Sequence, residues 1–226
     1  MEKVLFEIYR NGSSEIYAND VPAFPPSDLW GHLGNKFHFI LQRLEYLNKT
    51  IESIYNDVEL YYSRRKKRQY ISNSTVVNPF IEIIHLISDL RMIIDELISL
   101  LYILEKREQN GDYPSKIRIS SIGELLTEFN KDVSKKLCFF RPYKSFLEKI
   151  KDISNTYKHS FINSDILFYK QPEVPIVYAG KNDYNNFNKE RILIAIPLNE
   201  IVDEFNVLFK NDRELLWEKT VTENDI

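Results

Sequence analysis

Residues 78–108, NPFIEIIHLISDLRMIIDELISLLYILEKRE, decide the fold of this chain. Asn78 and Pro79 predict the start of a helix, as an N-cap followed by proline at the first helical position. The helix is apolar around most of its circumference, apart from a stripe at His85, Ser88/Asp89, Met92, Asp95/Glu96 and Ser99. Such a helix must pack against other parts of the protein on nearly every side. The stretch therefore predicts a helix in the middle of a bundle or at an interface between copies.

The same stretch argues against a membrane span, because charged residues and a histidine interrupt it. These residues are Glu82, His85, Asp89, Arg91, Asp95 and Glu96. The chain is 43% hydrophobic and 28% charged, and its net charge of −3 provides no global basic field for nucleic acid. A lone cysteine, Cys138, fits a reducing compartment, and the opening MEKVLFEIYRNG lacks the apolar run of a signal peptide. We expect a cytoplasmic globular protein.

Two further helices are predicted on either side of this central one. Ser27 is a suitable N-cap for a helix over 27–62, whose apolar residues recur in steps of three and four and form one continuous stripe. Ser121 and Glu124 stand in capping-box spacing, which predicts another helix over 121–137. Both helices are expected to pack against the central one.

The remaining chain predicts one more core helix, a β excursion and a closing helix. The core helix runs over about 142–161, with an inward stripe at Phe146/Leu147, Ile150, Ile153, Tyr157 and Phe161. The β-branched and aromatic runs DILFYK, VPIVYAG and RILIAIP then predict two or three strands. A last helix begins near Pro197-Leu198.

The predicted fold class is mainly α. It is an up-and-down four-helix bundle with a small C-terminal β-hairpin or meander and a closing helix. Residues 1–26 form an N-terminal hairpin or arm, with a plausible turn at Asn11-Gly12. Residues 27–226 form a single helical domain, with the β excursion at about 165–197.

Well-known catalytic and cofactor motifs are absent from the sequence. It has no glycine-rich phosphate loop and no dinucleotide fingerprint. Paired cysteines for zinc, the HExxH spacing and the GxSxG elbow are also missing. The sequence therefore predicts no metal site and no cofactor, and it disfavours most familiar enzyme classes.

The strongest charge feature is the run Arg64, Arg65, Lys66, Lys67 and Arg68. Five adjacent cations at a helix end can meet RNA phosphates through sequence-independent contacts. They also complement the negative end of the helix dipole, and a solvated helix end is the commoner explanation of such a charge run. Both readings stay open.

A second polar feature lies late in the predicted core helix, where Asp152, Asn155 and His159 follow one another along a single face. An imidazole there can take or donate a proton near neutral pH, while Asn155 orients it or binds a phosphate or ribose oxygen. Alternatively, His159 caps the helix end and binds the segment that follows.

The segment SNTYKH, residues 154–159, resembles the motif of the HEPN superfamily (higher eukaryotes and prokaryotes nucleotide-binding domains). Bacterial HEPN-like proteins also show an N..KH helix end, short strands with P.I, and a closing helix similar to IPLNEIVDEFNVLF, so the resemblance covers roughly residues 28–210. It implies a dimeric helical bundle. Active members are metal-independent RNases, often in toxin–antitoxin, CRISPR and phage-defence systems.

The chain departs from the family motif at its arginine, which in the family's proposed mechanism stabilises charge on the scissile phosphate. Ser154, Ile153 or Asp152 stands at that position. Loss of a preorganised cation can remove a large share of the rate. Lys151 or Lys158 could substitute for this arginine and contact nucleotide, but lysine lacks the bidentate fork of arginine. An arginine could also come from the preceding connection (Arg141) or from a dimer partner.

Three functional readings follow from the sequence. The first is a non-catalytic or weakly active HEPN-like protein, associated with nucleotide or RNA in a bacterial defence or toxin–antitoxin-like system. It would be a homodimer through its apolar helices, with a protein partner from the same operon. The second is an active metal-independent endoribonuclease, with His159 as general base, Asn155 orienting substrate and the basic run collecting RNA. The third is an interaction scaffold that binds no nucleotide.

Overall fold

The structure is a computed structural model that describes residues 3–9, 15–71, 73–131, 137–159, 174–181 and 192–220. Within these ranges the helices are α1 (Leu33–Lys66), α2 (Asn73–Asn110), α3 (Ile122–Phe129), α4 (Lys144–His159) and α5 (Leu198–Thr220). The strands β1 (Ile176–Lys181) and β2 (Ile192–Pro197) precede α5 and pair in antiparallel register. The predicted fold class is therefore confirmed, since the chain is mainly helical and a small hairpin precedes a closing helix.

Helix α2 lies at the centre, where α1, α3, α4 and α5 all pack against it. Helix α1 runs antiparallel to α2, because Arg43 contacts Asp89 and Glu96 whereas Ser53, further along α1, contacts the earlier Glu82. Asp89 thus pairs with Arg43.

No helix in the described ranges combines enough length with enough apolar character to cross a membrane.

The predicted boundaries of α1 were wrong at both ends. The Ser27 hydroxyl accepts the backbone N–H of Trp30 in a turn instead of capping the helix. Gly31 then adopts a left-handed φ of 61°, which interrupts a helical path, and α1 begins only at Leu33. At the other end α1 continues to Lys66, four residues beyond the prediction. Cations in the last turn interact favourably with the negative end of the helix dipole and stabilise this extension.

The other helix boundaries also differ from the predictions. Helix α2 begins at Asn73, so Pro79 lies inside the helix instead of at its first position. Helix α3 has the predicted N-cap, with the Ser121 hydroxyl accepting the N–H of Glu124, but it ends at Phe129. A 3₁₀ helix over Cys138–Tyr143 then leads into α4.

Some predictions lie outside the described residues, and others are confirmed within them. The turn at Asn11-Gly12, the strand in DILFYK and the inward position of Phe161 fall outside. In contrast, VPIVYAG and RILIAIP contain β1 and β2, and the last helix begins at Leu198 as predicted. The inward stripe of α4 is buried at Phe146, Leu147, Ile150 and Ile153.

Residues 3–9, called the arm below, form an irregular segment that packs into the main core through Phe6 and Ile8. Its backbone is held by side chains of α1 and α5. Asn48 of α1 accepts the N–H of Phe6 at 2.7 Å and donates to its carbonyl oxygen at 3.0 Å. Asn206 of α5 accepts the N–H of Glu7 and donates to the carbonyl oxygen of Leu5, both at 2.9 Å.

The net free energy that holds the arm on the helices is small. Burial of Phe6 and Ile8 contributes about 1.5–3 kcal/mol for each side chain. Each hydrogen bond to the arm backbone adds about 0.5–1.5 kcal/mol. Ordering the arm costs about 1–2 kcal/mol per residue. Because the gain and the cost are similar in size, we expect the arm to detach more readily than the helices unfold.

Asp212 of α5 is the most unfavourably placed carboxyl group of the described residues. Its side chain has no solvent exposure, and neither carboxyl oxygen has a hydrogen-bond partner among those residues. Burial raises the pKa of this carboxyl well above its usual range. The folded state therefore favours the protonated form, and deprotonation at higher pH destabilises it.

We expect Asp212→Asn to stabilise the protein increasingly as pH rises above the usual titration range of a carboxyl group, because burial raises the pKa of Asp212. The folded-state pKa lies above the unfolded value, so the parent loses up to about 1.4 kcal/mol of unfolding free energy per pH unit between the two. The asparagine variant cannot ionise and avoids this loss. Urea denaturation at several pH values measures the difference. Asp203→Asn, at an exposed carboxylate of the same helix, is the control. Parallel pH profiles for parent and Asp212→Asn would contradict the assignment.

Candidate functional site

The candidate site begins on α4, where Ser154 and Asn155 face the central helix. Ser154 is completely buried, and its hydroxyl donates to the backbone carbonyl oxygen of Lys151 at 3.1 Å. Asn155 is half-buried beside it. Both side chains therefore turn acceptor oxygens toward α2.

Arg91 of α2 occupies the space in front of these two side chains. Its Nη1 donates to Asn155 Oδ1 at 2.5 Å and to Ser154 Oγ at 2.8 Å. The short serine side chain leaves room for the guanidinium. A cation is thus present beside Asn155, although α2 supplies it and the motif segment of α4 does not.

Asp95 lies one turn after Arg91 and limits the charge of this site. Its Oδ2 is 3.8 Å from Arg91 Nε, and the two side chains are 26% and 16% exposed. Its Oδ1 accepts the backbone N–H of Ile122 at 2.7 Å, at the first turn of α3. Burial raises the pKa of the Asp95 carboxyl, while the Ile122 N–H and the charges of Arg91 and Lys158 oppose that rise.

The other residues of α4 that the sequence predicted for the site lie around the Arg91–Asp95 pair and differ in solvent exposure. Asp152 is half-buried, and its backbone carbonyl oxygen accepts the Thr156 hydroxyl at 2.7 Å. Lys158 is exposed but lies close enough for its charge to act on Asp95. His159 is the last residue of α4 and is also exposed, one turn beyond Asn155 on the same face. The structure thus brings Asn155 and Lys158 close to the Arg91–Asp95 pair and leaves His159 at the rim.

The β-hairpin packs on α4 through β1 and comes near the end of α1 at Tyr178. The Tyr157 hydroxyl donates to the carbonyl oxygen of Tyr178 in β1 at 2.8 Å, and burial raises the pKa of Tyr157. Burial also raises the pKa of Tyr62 in α1, with a further rise from the neighbouring Tyr61 and Tyr178 and an opposing effect of Arg65. Tyr178 therefore lies near both helices.

The basic run lies at the same end of the molecule as His159, since Tyr62 of α1 and Tyr157 of α4 both lie near Tyr178. Its first three residues form the last turn of α1, and the other two follow. Arg64 is half-buried, and Arg65, Lys66, Lys67 and Arg68 are exposed. Tyr70 is 83% exposed beside them. An exposed ring and several cations match the composition of surfaces that bind single-stranded nucleic acid.

Arg91 is the site residue that the motif search on α4 missed. Sequence reasoning treated it as one of several charges that interrupt an apolar stretch. A signal was present, since Ser88, Arg91, Asp95 and Ser99 recur at three- and four-residue spacing on one side of α2. That spacing places them on one face but does not identify the helix that this face meets.

Neither metal-binding groups nor known relatives identify the chemistry of the site. Within the described residues, no group of three or more His, Cys, Asp or Glu side chains is arranged to hold a metal ion. Comparison of the chain with protein-family models, curated proteins and solved structures gives no match. The geometry of the side chains is therefore the basis for any functional proposal.

We expect Asp95→Ala to lower the free energy of unfolding by about 1–3 kcal/mol, because it leaves the buried Ile122 N–H without its acceptor. Asp95→Asn keeps an acceptor oxygen at that position and should cost less. The matched control is Glu96→Ala, which removes a more exposed ion pair with Arg43 and should cost less than about 1 kcal/mol. Urea denaturation followed by circular dichroism gives all three values. Equal losses for Asp95→Ala and Glu96→Ala would show that the hydrogen bond from Ile122 to Asp95 adds no measurable stability.

Proposed function

We propose that the protein is a HEPN-like, RNA-associated component of a bacterial defence or toxin–antitoxin-like system, with no or weak catalytic activity of its own. It acts in the cytoplasm as a homodimer, with a protein partner encoded in the same operon. RNA backbone phosphates bind at Arg91 and Asn155, and the basic run from Arg64 to Arg68 adds non-specific affinity.

The observation that carries this proposal is the contact between Arg91 and Asn155. A guanidinium has five N–H donors in a planar fork that suits phosphate oxygens. The contacts described for Arg91 use Nη1 and Nε, which leaves Nη2 available to an incoming phosphate. The side chain remains 16% exposed, so part of it is accessible to a ligand.

Asp95 is the reason to favour binding over efficient cleavage. A transition-state cation is most effective when its charge is directed at the reacting phosphate and is not already neutralised. Here a carboxylate lies one turn away and offsets part of the guanidinium charge. Arg91 also donates to two side-chain oxygens of α4. The guanidinium can position a phosphate, but it has less charge to offer to a developing dianion.

The exposed position of His159 favours a second candidate, a metal-independent endoribonuclease. In that reaction His159 accepts the 2′-hydroxyl proton, and the 2′-oxygen attacks the adjacent phosphorus while the bond to the 5′-oxygen breaks. The leaving 5′-oxygen takes a proton from water, and His159 returns its proton to the solvent. The products are a 2′,3′-cyclic phosphate and a 5′-hydroxyl end. Asn155 orients the ribose or phosphate, and Arg91 stabilises the negative charge. The same residues serve both candidates, so the difference lies in rate.

We expect Arg91→Ala to weaken binding of single-stranded RNA and to reduce its salt dependence. Removal of one phosphate contact lowers the magnitude of the slope of log K against log salt by about 0.7. Arg91→Lys, which keeps the charge without the fork, should bind with intermediate affinity. Fluorescence anisotropy with labelled RNA at several salt concentrations measures both quantities.

Two variants serve as controls for this measurement. Lys149→Ala removes a cation of α4 that pairs with Glu200 and Glu204, away from the site, and should leave RNA affinity unchanged. Replacement of all five basic-run residues by glutamine should reduce the salt slope more than Arg91→Ala does. RNA affinity equal to that of the parent in Arg91→Ala, with helical content intact, would refute a phosphate site at Arg91.

We expect slow or undetectable cleavage of mixed RNA by the parent protein in the presence of a metal chelator, with any activity abolished by His159→Ala. The imidazole is the group placed to accept a proton from the 2′-hydroxyl. Gel electrophoresis of end-labelled RNA, with analysis for cyclic phosphate ends, provides the measurement. Fast cleavage that depends on His159 would favour the endoribonuclease candidate. Cleavage that survives His159→Ala would place the activity elsewhere.

A further inference from the structure

We propose that the groove between α1 and α5 is a peptide-recognition site, and that it takes the arm of a second copy of this chain as well as its own. The α1/α5 groove is defined by Asn48 on α1 and by Phe205, Asn206 and Arg213 on α5. This inference is independent of RNA binding at Arg91.

The groove forms hydrogen bonds with both edges of an extended backbone. Asn48 pairs with both backbone groups of Phe6, as a residue of an antiparallel strand would. Asn206 bridges the carbonyl oxygen of Leu5 and the N–H of Glu7, which point to the opposite edge. Side-chain amides thus replace the two neighbouring strands of a sheet. This arrangement recognises a strand by its backbone, in the manner of strand addition.

Side-chain pockets add selectivity for an alternating apolar sequence. Phe6 packs edge-on against Phe205, with ring centroids 5.1 Å apart. Ile8, two residues on, is equally buried, and its carbonyl oxygen accepts a hydrogen bond from Arg213 at 2.8 Å. Glu7 between them is exposed. The preferred ligand is therefore an extended segment with an aromatic and a branched aliphatic residue at alternate positions.

Polar contacts at both ends of the arm fix its register. The Lys3 ammonium donates to Asn56 Oδ1 at 2.9 Å, and the Tyr9 hydroxyl donates to Glu45 Oε1 at 2.7 Å. Both partners belong to α1. A ligand with the same spacing between its lysine and tyrosine would repeat these contacts.

The occupant in trans is the arm of another copy, because that segment meets every one of these requirements. A tethered arm has an effective concentration in the millimolar range, so it normally excludes a competitor. Exchange therefore becomes visible when the arm in cis is weakened or when the chains are concentrated. All contacts of the arm described above are non-covalent, which permits exchange.

The first test uses full-length chain carrying Phe6→Ala and Ile8→Ala, so that the arm is weak and the groove is intact. The probe is a fluorescein-labelled peptide of residues 1–9, MEKVLFEIY. We expect this peptide to bind the variant saturably, with an affinity at least tenfold higher than for the parent. Addition of the peptide should also raise the melting temperature of the variant. A peptide with the same two alanines is the matched control. Adding Asn48→Ala and Asn206→Ala to the chain should weaken binding at least tenfold.

Equal binding of both peptides, or no binding by a folded arm variant, would overturn the peptide site. Hydrogen exchange on the parent provides a second measurement if the arm variant does not fold. The amides of Phe6 and Glu7 should then exchange faster than those of α2, through detachment of the arm alone. Exchange at the rate of global unfolding would mean that the arm never leaves.

The second test addresses the second copy directly, in a Cys138→Ser background that removes the native thiol. One chain carries Lys3→Cys and the other carries Asn56→Cys, at the two ends of the contact described above. After mixing at high concentration and mild oxidation, we expect a disulfide-linked heterodimer that excess peptide suppresses. Asp203→Cys in place of Asn56→Cys is the control for random crosslinking. Equal yields from both pairings, or no heterodimer, would show that the groove does not take an arm in trans.

Discussion

The whole structure depends on the burial of α2, an apolar helix of 38 residues that needs cover on nearly all sides. Four other helices provide that cover. Charged groups on such a helix are tolerated only where a neighbour supplies a partner. Arg43 of α1 meets Asp89 and Glu96, whereas the α3 terminus and α4 meet Asp95 and Arg91. The charged side chains of α2 therefore determine where α1, α3 and α4 pack against it.

This constraint also shaped the candidate site. Arg91 must be satisfied in a largely buried position, and the side-chain oxygens of Ser154 and Asn155 do so. The same contacts that make the arginine tolerable in the core place it beside the polar face of α4. One guanidinium thus meets a structural need and is also the group that we propose binds phosphate. Asp95 serves both the α3 backbone and this guanidinium, and its carboxylate offsets part of the guanidinium charge.

Sequence reasoning succeeded where the information was local and periodic. The existence of the long helices, the two strands and the shared face of Asn155 and His159 all follow from spacing within one element. Boundaries were less accurate, because Gly31 delays α1 and because tertiary packing carries α2 through Pro79. The contact between Arg91 and Asn155 joins residues 64 positions apart, so no helical period contains it. Its detection required the packing of α2 against α4.

The clamped arm has a consequence for the order in which the fold is completed. Asn206 and Arg213 lie about 200 positions after the arm residues that they bind. During synthesis the arm leaves the ribosome early, long before α5 exists, and its apolar side chains then have only half of their groove. Such distant contacts form late and slowly. Until α5 docks, the nascent chain carries an exposed alternating apolar segment, which is the kind of sequence that chaperones protect from aggregation.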